Sequence, residues 1–197
     1  PCSMRLNPLF ASLPVTVFER MSALARDSGA INLGQGFPDG PEPPELLEAA
    51  ARALKAGSNQ YPPSRGLPEL RAAAADFYDR FDGLAATAGN VVVTSGATEA
   101  IAAALMAAIT PGDEVINIEP AYDAYRPLIQ RAGGVVRSVT LAPPAWRLTA
   151  ERLEAAVTPR TRVLMFNNPL NPAGRAFDQD EVEAVAGVCR RDDLVPI

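Results

Sequence analysis

Three short segments carry the residue types on which chemistry is expected. Ser95-Gly96-Ala97-Thr98 opens an apolar helical stretch directly after the β-branched run Asn90 to Thr94. Small residues at a helix start expose unpaired backbone N–H groups, which together with the helix dipole favour a phosphate, and the Thr98 hydroxyl adds a donor. Glu119-Pro120-Ala121-Tyr122 follows a second apolar run. A tyrosine where a strand ends offers a ring for stacking on a flat heterocycle, or caps the core. The third segment is Asn167-Asn168-Pro169-Leu170-Asn171-Pro172-Ala173-Gly174. Its prolines restrict the backbone, with X-Pro bonds that are cis in some such turns, and its asparagines supply neutral donors for a phenolate or carboxylate oxygen. Taken one at a time, each segment also reads as an ordinary turn.

What is absent narrows the chemistry further. The 197 residues contain no histidine. Ser-His-Asp and Cys-His nucleophilic catalysis and the common histidine zinc sites are therefore not available, and no metal site is expected. Lys55 is the only lysine, and the other 17 basic residues are arginines. These are scattered, and the net charge is -5, so no nucleic-acid footprint is visible. No apolar run is long enough to span a bilayer, and no signal peptide is apparent. With only Cys2 and Cys189, no disulfide framework is expected; a reducing cytoplasm is the simpler setting, and Cys189 reads as a small core residue.

The elements that must hold the three segments follow from periodicity. Val17 to Arg26, Pro44 to Ala56 and Leu67 to Phe81 read as helices, with Leu46, Leu47, Ala50 and Leu54 sharing one face of the second and Leu70, Ala74, Phe77 and Phe81 one face of the third. From Asn90 onward strands and helices alternate. Strands are predicted at Asn90 to Thr94, Glu114 to Ile118, Val135 to Leu141 and Arg162 to Phe166, and another begins at Leu194. Helices are predicted after Ser95 and over Asp123 to Ala132, Thr149 to Val157 and Asp178 to Arg191. Thr149 reads as an N-cap, and Asp178 with Glu181 has capping-box spacing. Short connections in such an alternation predict a three-layer α/β/α fold with a mainly parallel sheet. Ligands of such sheets bind beyond the carboxyl ends of the strands, where the three segments fall.

Read together, the stretches NLGQGFPDG, NQYPPSRGLPELR, VTSGATEAI, PGDEVINIEPAYDAY and NNPLNPAG, in that order, resemble the class I/II aminotransferases of fold type I. The similarity is to the subgroup of kynurenine (glutamine), methionine and N-succinyldiaminopimelate aminotransferases. It implies pyridoxal 5'-phosphate (PLP) as cofactor, amino-acid and 2-oxo-acid substrates, and a homodimer in the cytoplasm. It also implies an N-terminal arm with a substrate-side loop over residues 1–44 and the first, incomplete part of a large PLP-binding domain over residues 45–197. By the same resemblance, Gly96, Ala97 and Thr98 bind the PLP phosphate, Tyr122 stacks on the pyridine ring, and Asn171 bonds the 3'-oxygen. Tyr61 reaches a neighbouring subunit's PLP phosphate, and Asn167, Gly36 and Phe18 line the substrate side.

The resemblance places the Schiff-base lysine, the aspartate for the pyridinium nitrogen and the arginine for the substrate carboxylate beyond Ile197. Lys55 precedes the NQYPP stretch and reads as a solvated surface lysine. No catalytic residue is therefore assigned, and these 197 residues alone are expected to be inactive. Two alternatives stand beside transamination: a PLP-dependent carbon–sulfur β-lyase on the same fold, and a non-catalytic truncated binding or dimerisation module.

Overall fold

A computed structural model describes residues 6–36, 40–57 and 59–197. Cys2 and Phe37 lie outside the described residues. The chain divides into two compact units: Val15–Thr94, and the described part of Pro1–Pro14 together with Ser95–Ile197.

The Val15–Thr94 unit holds three helices, α2 (Val17–Ser28), α3 (Pro44–Ala56) and α4 (Pro68–Asp82). Their ends obey local chemistry. The Thr16 hydroxyl caps α2 by accepting from the Glu19 N–H at 3.2 Å. Prolines occupy the first turns of α3 and α4, where a missing N–H costs nothing. The apolar faces read from the sequence are largely exposed among the described residues. α2 and α3 bury no residue and α4 buries only Ala75, while Leu54 and Phe81 are 66% and 65% exposed. Periodicity reports an apolar stripe, not what covers it.

The expected buried strand at Asn90 to Thr94 is a correction. A 3₁₀ turn spans Ala88–Asn90, and the backbone beyond it pairs with no strand among the described residues. Its polar groups are met otherwise. The Val93 N–H donates to the Arg65 carbonyl at 3.0 Å, and Arg71 donates through Nε to the Val91 carbonyl at 2.8 Å and through its terminal nitrogen to Ala88. Val92 is 55% exposed. Three consecutive valines favour extended backbone, but a strand requires a ladder partner.

The other unit is the three-layer sandwich. A short helix α1 (Pro8–Ala11), not foreseen from sequence, precedes it in the chain. Then follow α5 (Gly96–Ala108), β1 (Glu114–Glu119), α6 (Tyr125–Arg131), β2 (Val135–Thr140), α7 (Ala150–Glu154), β3 (Thr161–Met165), α8 (Gln179–Arg191) and β4 (Val195–Pro196). The sheet is parallel, in the order β2-β1-β3-β4. Successive residues on β1 and β3 alternate between two cores. Val115, Val163 and Met165 pack with Leu105, Ile109 and Ile129 of the α5/α6 layer. Ile116, Ile118 and Leu164 pack with Leu153, Val185, Val188 and Cys189 of the α7/α8 layer. Cys189 is thus a core residue, and burial pushes its thiol above the usual range. Thr149 caps α7 and the Asp178–Glu181 capping box opens α8, as the spacing predicts.

Two buried carboxylates close the ends of this sheet. Glu114, at the start of β1, accepts from Thr158 at 2.8 Å and Arg160 at 2.5 Å and lies 3.4 Å from Arg137. Glu181, in the first turn of α8, is 1% exposed and sits behind the loop that leaves β3.

Candidate functional site

Parallel pairing of β1 with β3 brings their carboxyl ends to one edge of the sheet. Tyr122 leaves β1 there, and Asn167 leaves β3 beside it. Helix α5 reaches the same edge from below. Its 13 residues span about 20 Å, matching the roughly 20 Å of the six-residue β1. Its last turn leads through Ile109 to Asp113 into the opposite end of β1, so Gly96 stands at the ligand edge. The Tyr122 and Asn167 segments thus leave the same edge of the sheet, and the length and direction of α5 carry Gly96 toward it.

At the α5 entrance Gly96 has φ 79°, a left-handed conformation that side-chain-bearing residues avoid. No atom lies within 4 Å of where its Cβ would stand, so the space above its backbone is open. Ala97 and Thr98 are exposed. The Glu99 carboxylate turns back to accept from the Ser95 N–H. The first-turn N–H groups of a helix have no intrahelical acceptor, and the dipole makes this point positive. The entrance is open in space, and the chain's own Glu99 carboxylate already lies against it.

The Tyr122 segment is anchored at its root. Glu119 accepts from Arg126 at 2.5 Å and from the Ser138 hydroxyl at 3.0 Å, tying β1, α6 and β2 together. Tyr122 is half-buried and meets Tyr125 edge-on, with centroids 5.7 Å apart. Burial, and next to it the Tyr122 phenol, push the Tyr125 phenol up, so it stays neutral at physiological pH. Beneath the segment is a cavity of about 340 Å³ between Asn117, Glu119, Pro120, Ala121, Asp123 and Arg126. The Asn117 side-chain oxygen Oδ1 is buried and has no hydrogen-bond partner among the described residues.

The third segment forms a closed loop. The Asn168 carboxamide oxygen accepts from the Phe177 N–H at 2.9 Å, the Leu170 N–H donates to the Arg175 carbonyl at 2.7 Å, and the Gly174 N–H donates to the Leu170 carbonyl at 2.8 Å. Leu170 is buried in the core, and Asn171 stands exposed at the tip. The peptide bonds before Pro169 and Pro172 are cis. Neither the Asn167 nor the Asn171 carboxamide bonds another described residue, so both are available to a ligand.

The remaining predicted residues belong to the Val15–Thr94 unit. Phe18 is half-buried on α2, Gly36 is exposed, and Tyr61 is 98% exposed. Lys55 is exposed in the last turn of α3. Among the described residues no cluster of His, Cys, Asp or Glu could hold a metal, and no helix is long and apolar enough to cross a membrane.

Sequence reasoning missed three residues that shape the rim. Asn168 ties off the loop, Arg175 closes it, and Glu181 holds Arg175 at 2.6 Å. Only Glu181 had a sequence signal, its capping-box spacing from Asp178.

Comparison with known proteins agrees with this architecture. Residues 28–197 match the family described as Aminotransferase class I and II. The chain is 47% identical over 185 residues to the probable N-succinyldiaminopimelate aminotransferase DapC of Mycobacterium tuberculosis, covering 92% of this chain and 47% of that protein. It is 41% identical to the methionine aminotransferase of Escherichia coli, covering 92% of this chain and 49% of the relative. Against the solved N-succinyldiaminopimelate aminotransferase of Mycobacterium tuberculosis the TM-score is 0.90 at 44% identity, over 98% of this chain and 51% of that one. The chain thus spans about half the length of the curated relatives it matches. On the family match, carried by a sheet and rim of the corresponding fold, this chain belongs to the class I and II aminotransferases.

Proposed function

We propose that this chain supplies the cofactor-cradling half of a PLP-dependent aminotransferase that moves an amino group from an amino acid to a 2-oxo acid. What supports the reading is that the Tyr122 and Asn167/Asn171 segments leave the carboxyl ends of the parallel strands β1 and β3, and that Gly96 opens the helix leading into β1. PLP, when bound, supplies the electron sink for the transfer. Gly96, Ala97 and Thr98 hold its phosphate through backbone N–H groups and the Thr98 hydroxyl. Tyr122 covers one face of the ring and keeps water from it. Asn171 donates its amide to the 3'-oxygen, and Asn167 faces the substrate carboxylate.

In this reading residues 1–44 act as the arm and substrate-side loop, and residues 45–197 as the first part of the large domain. Gly36 and Phe18 border the substrate. Tyr61, whose ring nothing covers among the described residues, reaches the PLP phosphate of a second subunit in a cytoplasmic homodimer. The amino donor is of the methionine, kynurenine, glutamine or N-succinyldiaminopimelate type.

Titration of the chain with PLP, followed by cofactor absorbance, tests the cradle. Asn171→Ala removes a hydrogen bond to an ionised oxygen, worth about 1.5–3 kcal/mol, and is expected to weaken binding about 10- to 100-fold. Unchanged affinity would remove Asn171 from the site. The 197 residues alone are expected not to transaminate. Their one lysine is exposed on α3 in the other unit, and no other side chain here can hold the cofactor covalently and move its proton. Robust turnover of methionine with 2-oxoglutarate and PLP by the purified chain would overturn this.

A further inference from the structure

Asn171 has no side-chain anchor of its own among the described residues, so its place depends on what fixes the loop around it. The loop closes where the Arg175 carbonyl receives the Leu170 N–H at 2.7 Å, a one-bridge antiparallel pairing. The Arg175 side chain is pinned in turn. Its guanidinium donates to Glu181 at 2.6 Å and lies 5.1 Å over the Phe177 ring, which stacks on Phe166 at 5.3 Å. Glu181 is fixed from three further directions. It accepts from the Asp178 N–H at 3.0 Å and the Leu148 N–H at 2.8 Å, and Arg147 lies 3.7 Å away.

A buried ion pair is a poor choice for stability alone, because apolar residues of equal volume often do as well or better. Directional hydrogen bonds do offer one fixed geometry. We infer that Arg175 and Glu181 are positioning residues for Asn171: the pair fixes the Leu170–Arg175 closure and so holds the Asn171 amide at the rim where the cofactor's 3'-oxygen would lie. This rests on the reading of Asn171 as a cofactor ligand. Neither residue touches the cofactor; both act through the backbone of the turn.

The test uses the 197-residue chain and two independent readouts. Arg175→Met keeps an unbranched side chain and removes the charge. Amide hydrogen exchange at Leu170 and Gly174 is expected to accelerate about 10-fold relative to the β1 amides, since the opening is local. PLP affinity is expected to fall about 10-fold in Arg175→Met but to change little further when Arg175→Met is added to Asn171→Ala, because the two act as one unit. Arg175→Lys should recover part of both effects. Glu181→Gln repeats the test should Arg175→Met fail to fold. Unchanged relative exchange at Leu170 and Gly174 would overturn the lock. Additive losses of affinity in the double variant would reduce the pair to a structural one. Undiminished affinity in Asn171→Ala would overturn the cofactor reading and the claim on Asn171 with it, whereas exchange would then decide on the lock by itself.

Discussion

Glu181→Ala is expected to lower folding stability by about 3–5 kcal/mol, read as a fall in the denaturation midpoint at neutral pH. The carboxylate is 1% exposed and accepts from one terminal nitrogen of Arg175, the Leu148 N–H and the Asp178 N–H together. Removing it leaves two backbone donors and a guanidinium without an acceptor, and a void between α7 and α8. A loss of that size is a large share of the 5–15 kcal/mol typical of a domain. Protonation gives a second route to the same quantity. Burial pushes the Glu181 carboxyl up, but hydrogen bonds from Arg175, Asp178 and Leu148 and the Arg175 charge outweigh it and bring it down to about 2 from an ordinary 4.5. A carboxyl depressed by folding contributes stability that is fully present above the unfolded value, and that contribution is lost as pH falls through the folded one. The contribution at neutral pH is about 3 kcal/mol, and it fades between about pH 4.5 and 2. Glu114 is also depressed, chiefly by the Thr158 hydrogen bond, so acid weakens the fold at two places. The difference between wild type and Glu181→Gln isolates one of them. It should shrink across that window, and a gap independent of pH would refute the assignment.

Gly96→Val is expected to weaken PLP binding about 10- to 100-fold while the fold persists. At φ 79° a β-branched residue is strained by about 1–2 kcal/mol or more. The space around a Cβ is open, so the cost is in the backbone and not in a clash. Relief comes by rotating to negative φ, which turns the first-turn N–H groups of α5 away from the rim. If the strain is borne instead, the side chain stands where the phosphate would sit. Each tenfold step in affinity corresponds to about 1.4 kcal/mol, so either route reaches the stated range. PLP titration alongside thermal melting checks it. Full affinity in a folded variant would place the phosphate elsewhere.

How far the sequence alone could be read depends on whether a feature is local. The bounds of α3 and the Thr149 and Asp178 caps were legible because each is written in contiguous residues. So was the alternation that dictates a parallel sheet. The run Asn90 to Thr94 was misread because pairing is decided by a partner and propensity cannot supply one. The stripes of α3 and α4 were legible as stripes, but their exposure was not. The Glu181 hub joins Leu148 to Arg175 and Asp178, residues up to 33 positions apart, and nothing in the spacing announces that meeting. The roles of Asn168 and Arg175 exist only once the loop has closed.

The strand order also bears on how the molecule behaves in company. Among the described residues β2 lies at one edge of the sheet, with β1 as its neighbour. A bare rim of this kind is a template on which further chains stack into aggregates. Here Arg152 reaches over to the Thr140 carbonyl at 3.0 Å, sealing one end of the rim. Arg137, in the middle of the strand, carries a charge held near Glu114 that another strand would have to bury. Two arginines, Arg137 on β2 and Arg152 on α7, thus guard this edge against further strand pairing.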